Sequence, residues 1–330
     1  MKLRRREVVT GLAAALALPT AAHARARRLP MPDVALWDPP LAFAEGHVRG
    51  PNGRIYYRRY RGRAAKAPLI VLHGGPAAGH RYLRSYAALA PRREVIFYDQ
   101  SGCGKSDSPP DLNLYTVERY VLELEDLRKQ LGFEHILLLG HSWGGMLAAA
   151  YAAAHPTRVR AMVLAGSAPR WQGFSDAAAR WLAELGPEAV KTVKRAEARG
   201  SIDDPAYFRL LDIYYHRHLC RLHPWPAWFE QDGQAIGSNP VYVHLNGPSE
   251  FQFTGTLANY DLRPQIRRLT MPTLITCGEF DEAPAWIGRE YLALMKTARL
   301  HSFNGLSHMS HIEDPRLVVA TTASFLNSIS

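Results

Sequence analysis

The chain has 330 residues, 47% of them hydrophobic and 21% charged, a balance that supports a large buried core and excludes a disordered protein. Forty Lys and Arg against thirty Asp and Glu leave a net charge of +10, which raises the question of an acidic partner. The basic residues are scattered and no nucleic-acid motif accompanies them, so no nucleic-acid partner is expected.

The first residues form an export signal. Lys2-Leu3-Arg4-Arg5-Arg6 is a basic start, Gly11 to Leu18 an apolar stretch too short to span a membrane, and Ala22-His23-Ala24 a small-x-small cleavage site. Arg5-Arg6-x-Val8-Val9 fits a twin-arginine signal, which serves proteins exported already folded. The expectation is a signal peptide over residues 1–24, a loose arm over 25–44, a mature charge near +7 and a bacterial periplasmic location. An ordinary secretory signal and an uncleaved anchor are the alternatives. No internal run reaches the roughly 18–20 apolar residues of a membrane span.

Asn52-Gly53 between His47-Val48-Arg49 and Ile55-Tyr56-Tyr57 predicts a hairpin. Pro68 to Leu72 and Glu94 to Tyr98 are continuous apolar runs suited to strands buried on both faces, and 79–90 reads as helix between them. Val117, Tyr120, Val121, Leu124, Leu127 and Leu131 share one face of a helix over 116–131. His135 to Leu139 and Arg160 to Ala165 are two more strands, with a small-residue helix from Gly144 to Ala154 between them. From about Ala168 to Gly255 the alternation breaks into helical segments rich in Trp, Tyr, His and Pro. It resumes with Pro272 to Thr276, a helix, a strand from Ala298 to Phe303, and a last helix from about Pro315 to Leu326. Strands alternating with helices predict an α/β fold with a mostly parallel sheet and helices on both faces. The two core parts would be 45–167 and 256–330, interrupted by a helical cap over 168–255.

Gly140-His141-Ser142-Trp143-Gly144 fits G-x-S-x-G between a strand and a helix, the context that makes such a serine a nucleophile. The bland alternative is a serine that merely caps a helix. A serine there argues against haloalkane dehalogenases and soluble epoxide hydrolases, which use Asp. His73-Gly74-Gly75-Pro76 ends the strand that supplies the second oxyanion donor. Gly75 and Trp143 are therefore assigned, through their backbone N–H groups, to the oxyanion hole. His73 precedes the nucleophile and reads as structural.

The order Ser, then acid, then His places the remaining triad members late in the chain. Glu279, Asp281 and Glu282 crowd one strand end, and Asp281 lies in the loop beyond it, so it is the expected acid. His308 follows Asn304-Gly305-Leu306-Ser307 in the loop where the base belongs; His311 competes with it, and His301 falls within a strand.

Together, His73-Gly74-Gly75-Pro76, Asp99-Gln100-x-Gly102-x-Gly104-x-Ser106, Gly140-His141-Ser142-Trp143-Gly144-Gly145 and Gly278-x-x-Asp281 resemble the prolyl aminopeptidases (proline iminopeptidases). Asn246-Gly247-Pro248-x-Glu250-Phe251 and Thr254-Gly255-Thr256 look most like the tricorn-interacting aminopeptidase branch and the related amino-acid amidases. The resemblance covers residues 45–326. It implies an α/β-hydrolase fold and a serine aminopeptidase acting through an acyl-enzyme on short peptides or amino-acid amides with a free N-terminus. No cofactor and no metal are implied. Matching motif by motif places two glutamates that hold the substrate ammonium at Glu250 and Glu282, with Gly74 and Gly75 lining the first-residue pocket. Without that matching, Glu250 and Glu282 read as solvated surface carboxylates.

The chain departs from the family at Ala77, where glycine is usual, and at Ser101, where arginine is usual. Both fall at the expected pocket entrance and leave strict proline specificity open. An aromatic cap containing Trp171, Trp181, Tyr207, Tyr214, Tyr215, Trp225, Trp228 and Tyr242 would cover the site, although each one taken singly reads as packing. His216, His218 and His223 read as packing and surface rather than metal ligands. Cys103, Cys220 and Cys277, an odd number, read as free thiols, with Cys103 near the entrance. The rival readings are an esterase or lactonase on the same fold, and a hydrolase-fold binding protein.

Overall fold

Continuous apolar runs become strands buried on both faces. In the computed structural model, which describes residues 29–62, 66–199 and 204–329, eight strands form one sheet. They are β1 (Ala44–Gly50), β2 (Gly53–Tyr60), β3 (Leu69–Leu72), β4 (Val95–Tyr98), β5 (Ile136–His141), β6 (Val159–Ala165), β7 (Thr273–Gly278) and β8 (Ala298–Phe303). Their order is β1-β2-β4-β3-β5-β6-β7-β8. The strand β2 runs antiparallel to both β1 and β4, and every other pairing is parallel. The expected signal peptide, 1–24, and the start of the arm lie outside the described residues.

The two-residue period of a strand distributes each apolar run between two layers. Ile70, Leu72, Ile96, Leu138 and Leu164 pack with helices Val117–Gln130 and Trp143–Ala154. Leu69, Val71, Phe97, Leu139 and Val163 pack with the 3₁₀ segment Arg81–Arg92 and helix Pro315–Asn327. Each buried Leu, Ile or Val contributes about 1.5–3 kcal/mol. Helix 117–130 starts at Thr116, whose side chain accepts from Arg119 N–H, and carries Arg128 and Lys129 in its last turn, where the helix dipole favours cations.

The hairpin turns one residue earlier than the Asn52-Gly53 signal suggests. Gly50 pairs with Gly53, so Pro51 and Asn52 form the loop and Gly53 takes the positive φ of 119°. Asn52 is instead buried and donates to Ser101 Oγ at 3.1 Å and Leu114 O at 2.9 Å.

Between β6 and β7 the chain forms helices Gln172–Glu184, Pro187–Ala198, Pro205–Tyr214, Ala227–Gly237 and Pro240–Leu245, with a π-helical turn at Tyr215–Leu219. This insertion lies over the C-terminal ends of the strands, where open α/β sheets place their ligands. No helix among the described residues is long and apolar enough to cross a membrane.

Candidate active site

Strand β5 runs without a loop into helix 143–154, and Ser142 makes the turn with φ 57°. That conformation is rare for a residue with a Cβ and is held here by its surroundings. Ser142 N–H donates to Ala165 O at 2.8 Å, and Gly145 N–H donates to Ser142 O at 2.9 Å. The flanking glycines leave no room for a side chain. A Cβ on Gly140 would lie 2.1 Å from Gly144 O, and one on Gly144 would lie 2.3 Å from Leu72 O. Gly144→Ala is therefore expected to destabilise the protein by about 3 kcal/mol. A thermal melt should fall by roughly 6 °C, and an unchanged melt would mean that strand and helix separate freely there.

Asp281 and His308 come together from two loops at the sheet's C-terminal edge. His308 Nδ1 lies 2.6 Å from Asp281 Oδ1. The carboxylate is fixed by Ala283 N–H to Oδ1 at 2.8 Å and Gly278 N–H to Oδ2 at 2.9 Å. Both side chains are buried, Asp281 at 1% exposed and His308 at 4%. Because Asp281 Oδ1 accepts, Nδ1 of His308 carries the proton and Nε2 is left for chemistry.

The competing histidines take other places. The buried His311 ring stacks on Tyr86 at 5.6 Å and packs against His141 at 4.9 Å. His301 is exposed and meets the edge of Phe303. Glu279 accepts from Gly305 N–H at 2.8 Å and shapes the base loop. His73 is fully buried, accepts from Gln100 N–H at 3.0 Å through Nε2, and is pushed down to about 4 by burial.

A hydrogen-bonded chain joins the oxyanion strand to the base. Gly74 N–H donates to Tyr82 Oη at 2.7 Å, Tyr82 lies 2.9 Å from His141 Nδ1, and His141 Nε2 lies 3.0 Å from His308 O. A carbonyl only accepts, so His141 carries its proton on Nε2 and Tyr82 donates to Nδ1. Tyr82→Phe strands Gly74 N–H and His141 Nδ1 and should cost about 1–3 kcal/mol. We expect a lower melting temperature together with a lower kcat; a fully active, equally stable variant would refute the link.

The insertion supports both loops. His308 N–H donates to His218 O at 3.0 Å, and His218 Nδ1 donates to Phe280 O at 2.8 Å. The His218 ring stacks on Trp181 at 4.3 Å, and Trp181 Nε1–H donates to Asp281 O at 3.3 Å. Buried Glu313 accepts from Ser307 N–H at 2.6 Å and from Arg221 N–H at 2.5 Å. Sequence reasoning missed the supporting roles of His218 and Glu313. Nothing in the local pattern separates His218 from His216 and His223, and Glu313 belongs to no motif.

Ser142 opens on a cavity lined by Gly75, Trp171, Phe174, Tyr214, Asn246, Glu250, Phe253 and Glu282. Gly74 abuts the nucleophile, since a Cβ there would lie 2.9 Å from Ser142 Cβ. Trp143 is the first residue of its helix, so its N–H has no partner within the helix. Of the aromatic residues read as a cap, Trp171 and Tyr214 line the cavity, and Tyr242 donates to Glu250 Oε2 at 2.7 Å. Phe174 and Phe253 line it too and carry no sequence signal.

Two carboxylates face this space, Glu282 buried and Glu250 half-buried. Glu250 is pushed up by burial, against the hydrogen bond from Tyr242. Burial pushes Glu282 up as well, against the pull of a charged His308 beside it. Burial alone would pull His308 down, but Asp281, Glu282 and Glu250 carry it up to about 9.

The chain matches the alpha/beta hydrolase fold family over residues 67–315. It is 36% identical to the proline iminopeptidase of Heyndrickxia coagulans over 290 residues, covering 87% of this chain and all of the relative. With the proline iminopeptidase of Saccharolobus solfataricus it is also 36% identical, covering 86% of this chain and 93% of that one. The crystal structure of a Mycobacterium smegmatis proline iminopeptidase superposes with a TM-score of 0.80 at 34% identity, covering 86% of this chain and 98% of its own. The chain belongs to the proline iminopeptidase family of α/β-hydrolases.

Its two departures from the proline iminopeptidase pattern sit away from the cavity, contrary to expectation. Ala77 is buried with φ 68°, which explains why glycine suits that place, and it does not line the cavity. Ser101 is fully buried: its N–H donates to Glu123, 3.2 Å from each carboxylate oxygen. Cys103 also lies away from the cavity, buried, with Sγ donating to Gln100 O at 3.2 Å. All three cysteines are free, and burial pushes each thiol up.

Proposed function

We propose that this protein is a serine aminopeptidase that removes an N-terminal proline, or another small apolar residue, from short peptides. The observation that carries the reading is the pair of carboxylates, buried Glu282 and half-buried Glu250, in the cavity onto which Ser142 opens. Uncompensated buried carboxylates are costly, and a primary or secondary ammonium repays that cost with charge-assisted hydrogen bonds. Trp171, Phe174, Tyr214 and Phe253 supply the apolar walls for a ring or short side chain.

In the reaction, Ser142 Oγ attacks the carbonyl of that residue while His308 Nε2 takes its proton. The N–H groups of Gly75 and Trp143 receive the oxyanion. His308 then protonates the departing amine, and a water activated by the same ring releases the acyl-enzyme. Asp281 orients the ring and stabilises the imidazolium. The test compares prolyl p-nitroanilide with its N-acetylated form. Hydrolysis of the free amine alone supports the reading; equal rates point to an esterase that ignores the amine.

The basic, apolar and small-x-small order of residues 1–24 supports a periplasmic location for this activity. Arg5→Lys with Arg6→Lys should leave the protein in the cytoplasmic fraction, since twin-arginine export reads the arginine pair. Unchanged periplasmic activity would assign the segment to the ordinary secretory route.

A further inference from the structure

Glu282 touches both the amine site and the base. Its Oε2 lies 3.6 Å from His308 Nε2, the ring nitrogen left over once Nδ1 is bonded to Asp281. Its Oε1 is buried without a hydrogen-bond partner, and the residue lines the cavity shared with Ser142 and Glu250. An unprotonated Nε2 beside a carboxylate sets two lone pairs against each other, so a proton held between them is favoured.

The groups facing the His308 ring come from four elements. Asp281 and Glu282 come from the loop after β7 and Glu250 from the insertion. His141, at the end of β5, has its ring centroid 4.5 Å away, and His311 follows in the base segment. Tyr214 of the insertion bonds to Glu282. Burial holds His141 and His311 neutral, far below the usual histidine range. Three carboxylates therefore act on a single ionisable imidazole.

We propose that Glu282 gates the base. In the free enzyme it holds His308 as the imidazolium; a substrate ammonium takes over that carboxylate and leaves His308 neutral, able to accept the proton of Ser142. The inference rests on the aminopeptidase reading and adds to it a coupling between amine recognition and catalysis. The proton balance is simple. The ammonium keeps its protons, the imidazolium loses one to solvent, and no covalent bond changes. The driving force is repulsion between two cations in a poorly screened site, together with the better fit of an ammonium between two carboxylates. A substrate without an amine then meets a protonated base as well as an unfilled site, so selectivity enters kcat and not only KM.

The experiment follows phosphonylation of Ser142 by an uncharged fluorophosphonate across pH 5–10, read by intact mass. Free wild-type protein should label with a midpoint near 9. Methylammonium, a cation with no scissile bond, should lower that midpoint by about one unit and so speed labelling at pH 7 about tenfold. E282Q should show the lowered midpoint without methylammonium and no response to it. Methylammonium binding to wild-type protein, followed by calorimetry in two buffers of different ionisation heat, should release about half a proton at pH 8.5, midway between the two midpoints. This keeps the test valid if E282Q misfolds. Superimposable labelling profiles for free and methylammonium-loaded wild-type protein, with no proton release, would overturn the gate and leave the aminopeptidase reading standing. Absence of Ser142 labelling under every condition would overturn both.

Discussion

Ser142→Ala should lower kcat on prolyl p-nitroanilide by roughly 10⁴–10⁶-fold while the melting temperature stays within a few degrees. In the proposed mechanism the substitution removes the atom that forms the acyl-enzyme, and the proposed oxyanion donors and carboxylate pair account for any residual rate. The fold survives because the bonds that hold the turn are backbone bonds, Ser142 N–H to Ala165 O and Gly145 N–H to Ser142 O. Stopped assays with active-site titration distinguish a true residual rate from contamination. Retention of more than about a hundredth of the activity would remove Ser142 from the mechanism.

Glu250→Gln carries the second large effect. The side chains are nearly isosteric, and Tyr242 O–H, which now donates to Glu250 Oε2 at 2.7 Å, can donate to the new amide oxygen. What is lost is a half-buried negative charge in the cavity, opposite the substrate ammonium in the proposed reading. Breaking one side of a buried charged pair costs about 2–5 kcal/mol, so kcat/KM on prolyl p-nitroanilide should fall by roughly 10²–10³-fold. The N-acetylated compound has no ammonium to lose and should be unaffected or slightly better. The ratio of the two rates is the decisive readout. If it stays constant, Glu250 recognises something other than the amine.

Ser142 illustrates what was legible from the chain. A five-residue pattern, a preceding apolar run and a following small-residue helix are local features, and the turn they predict is closed by local sterics at Gly140, although Gly144 is kept small by Leu72 of the distant strand β3. The strands were legible for a similar reason. Runs such as Pro68 to Leu72 are apolar throughout because both faces of the sheet are covered, which leaves a signal stronger than alternation. Asn52 was harder to read, because its side chain serves Ser101 and Leu114 rather than the turn.

The carboxylates mark where local pattern runs out. Glu250 and Glu282 lie 32 positions apart and were singled out only by family resemblance. Their meeting at one cavity depends on how the insertion folds back over the strand ends. The supporting contacts of His218, Trp181 and Glu313 are of the same kind. Each is an ordinary residue in its own segment and acquires its place from a partner far along the chain.

The sequence by itself determined the sheet's strands, the nucleophile's turn and the order of nucleophile, acid and base candidates, since each is written in short-range periodicity or in steric limits within a few residues. The tertiary structure alone decided that Asp281 pairs with His308 while His311 packs on Tyr86, that Ala77 and Ser101 do not line the cavity, and that Glu282 reaches both the cavity and His308 Nε2. Those outcomes depend on burial and on distances between distant segments. Proton affinity and charge pairing follow the field that all neighbours create together.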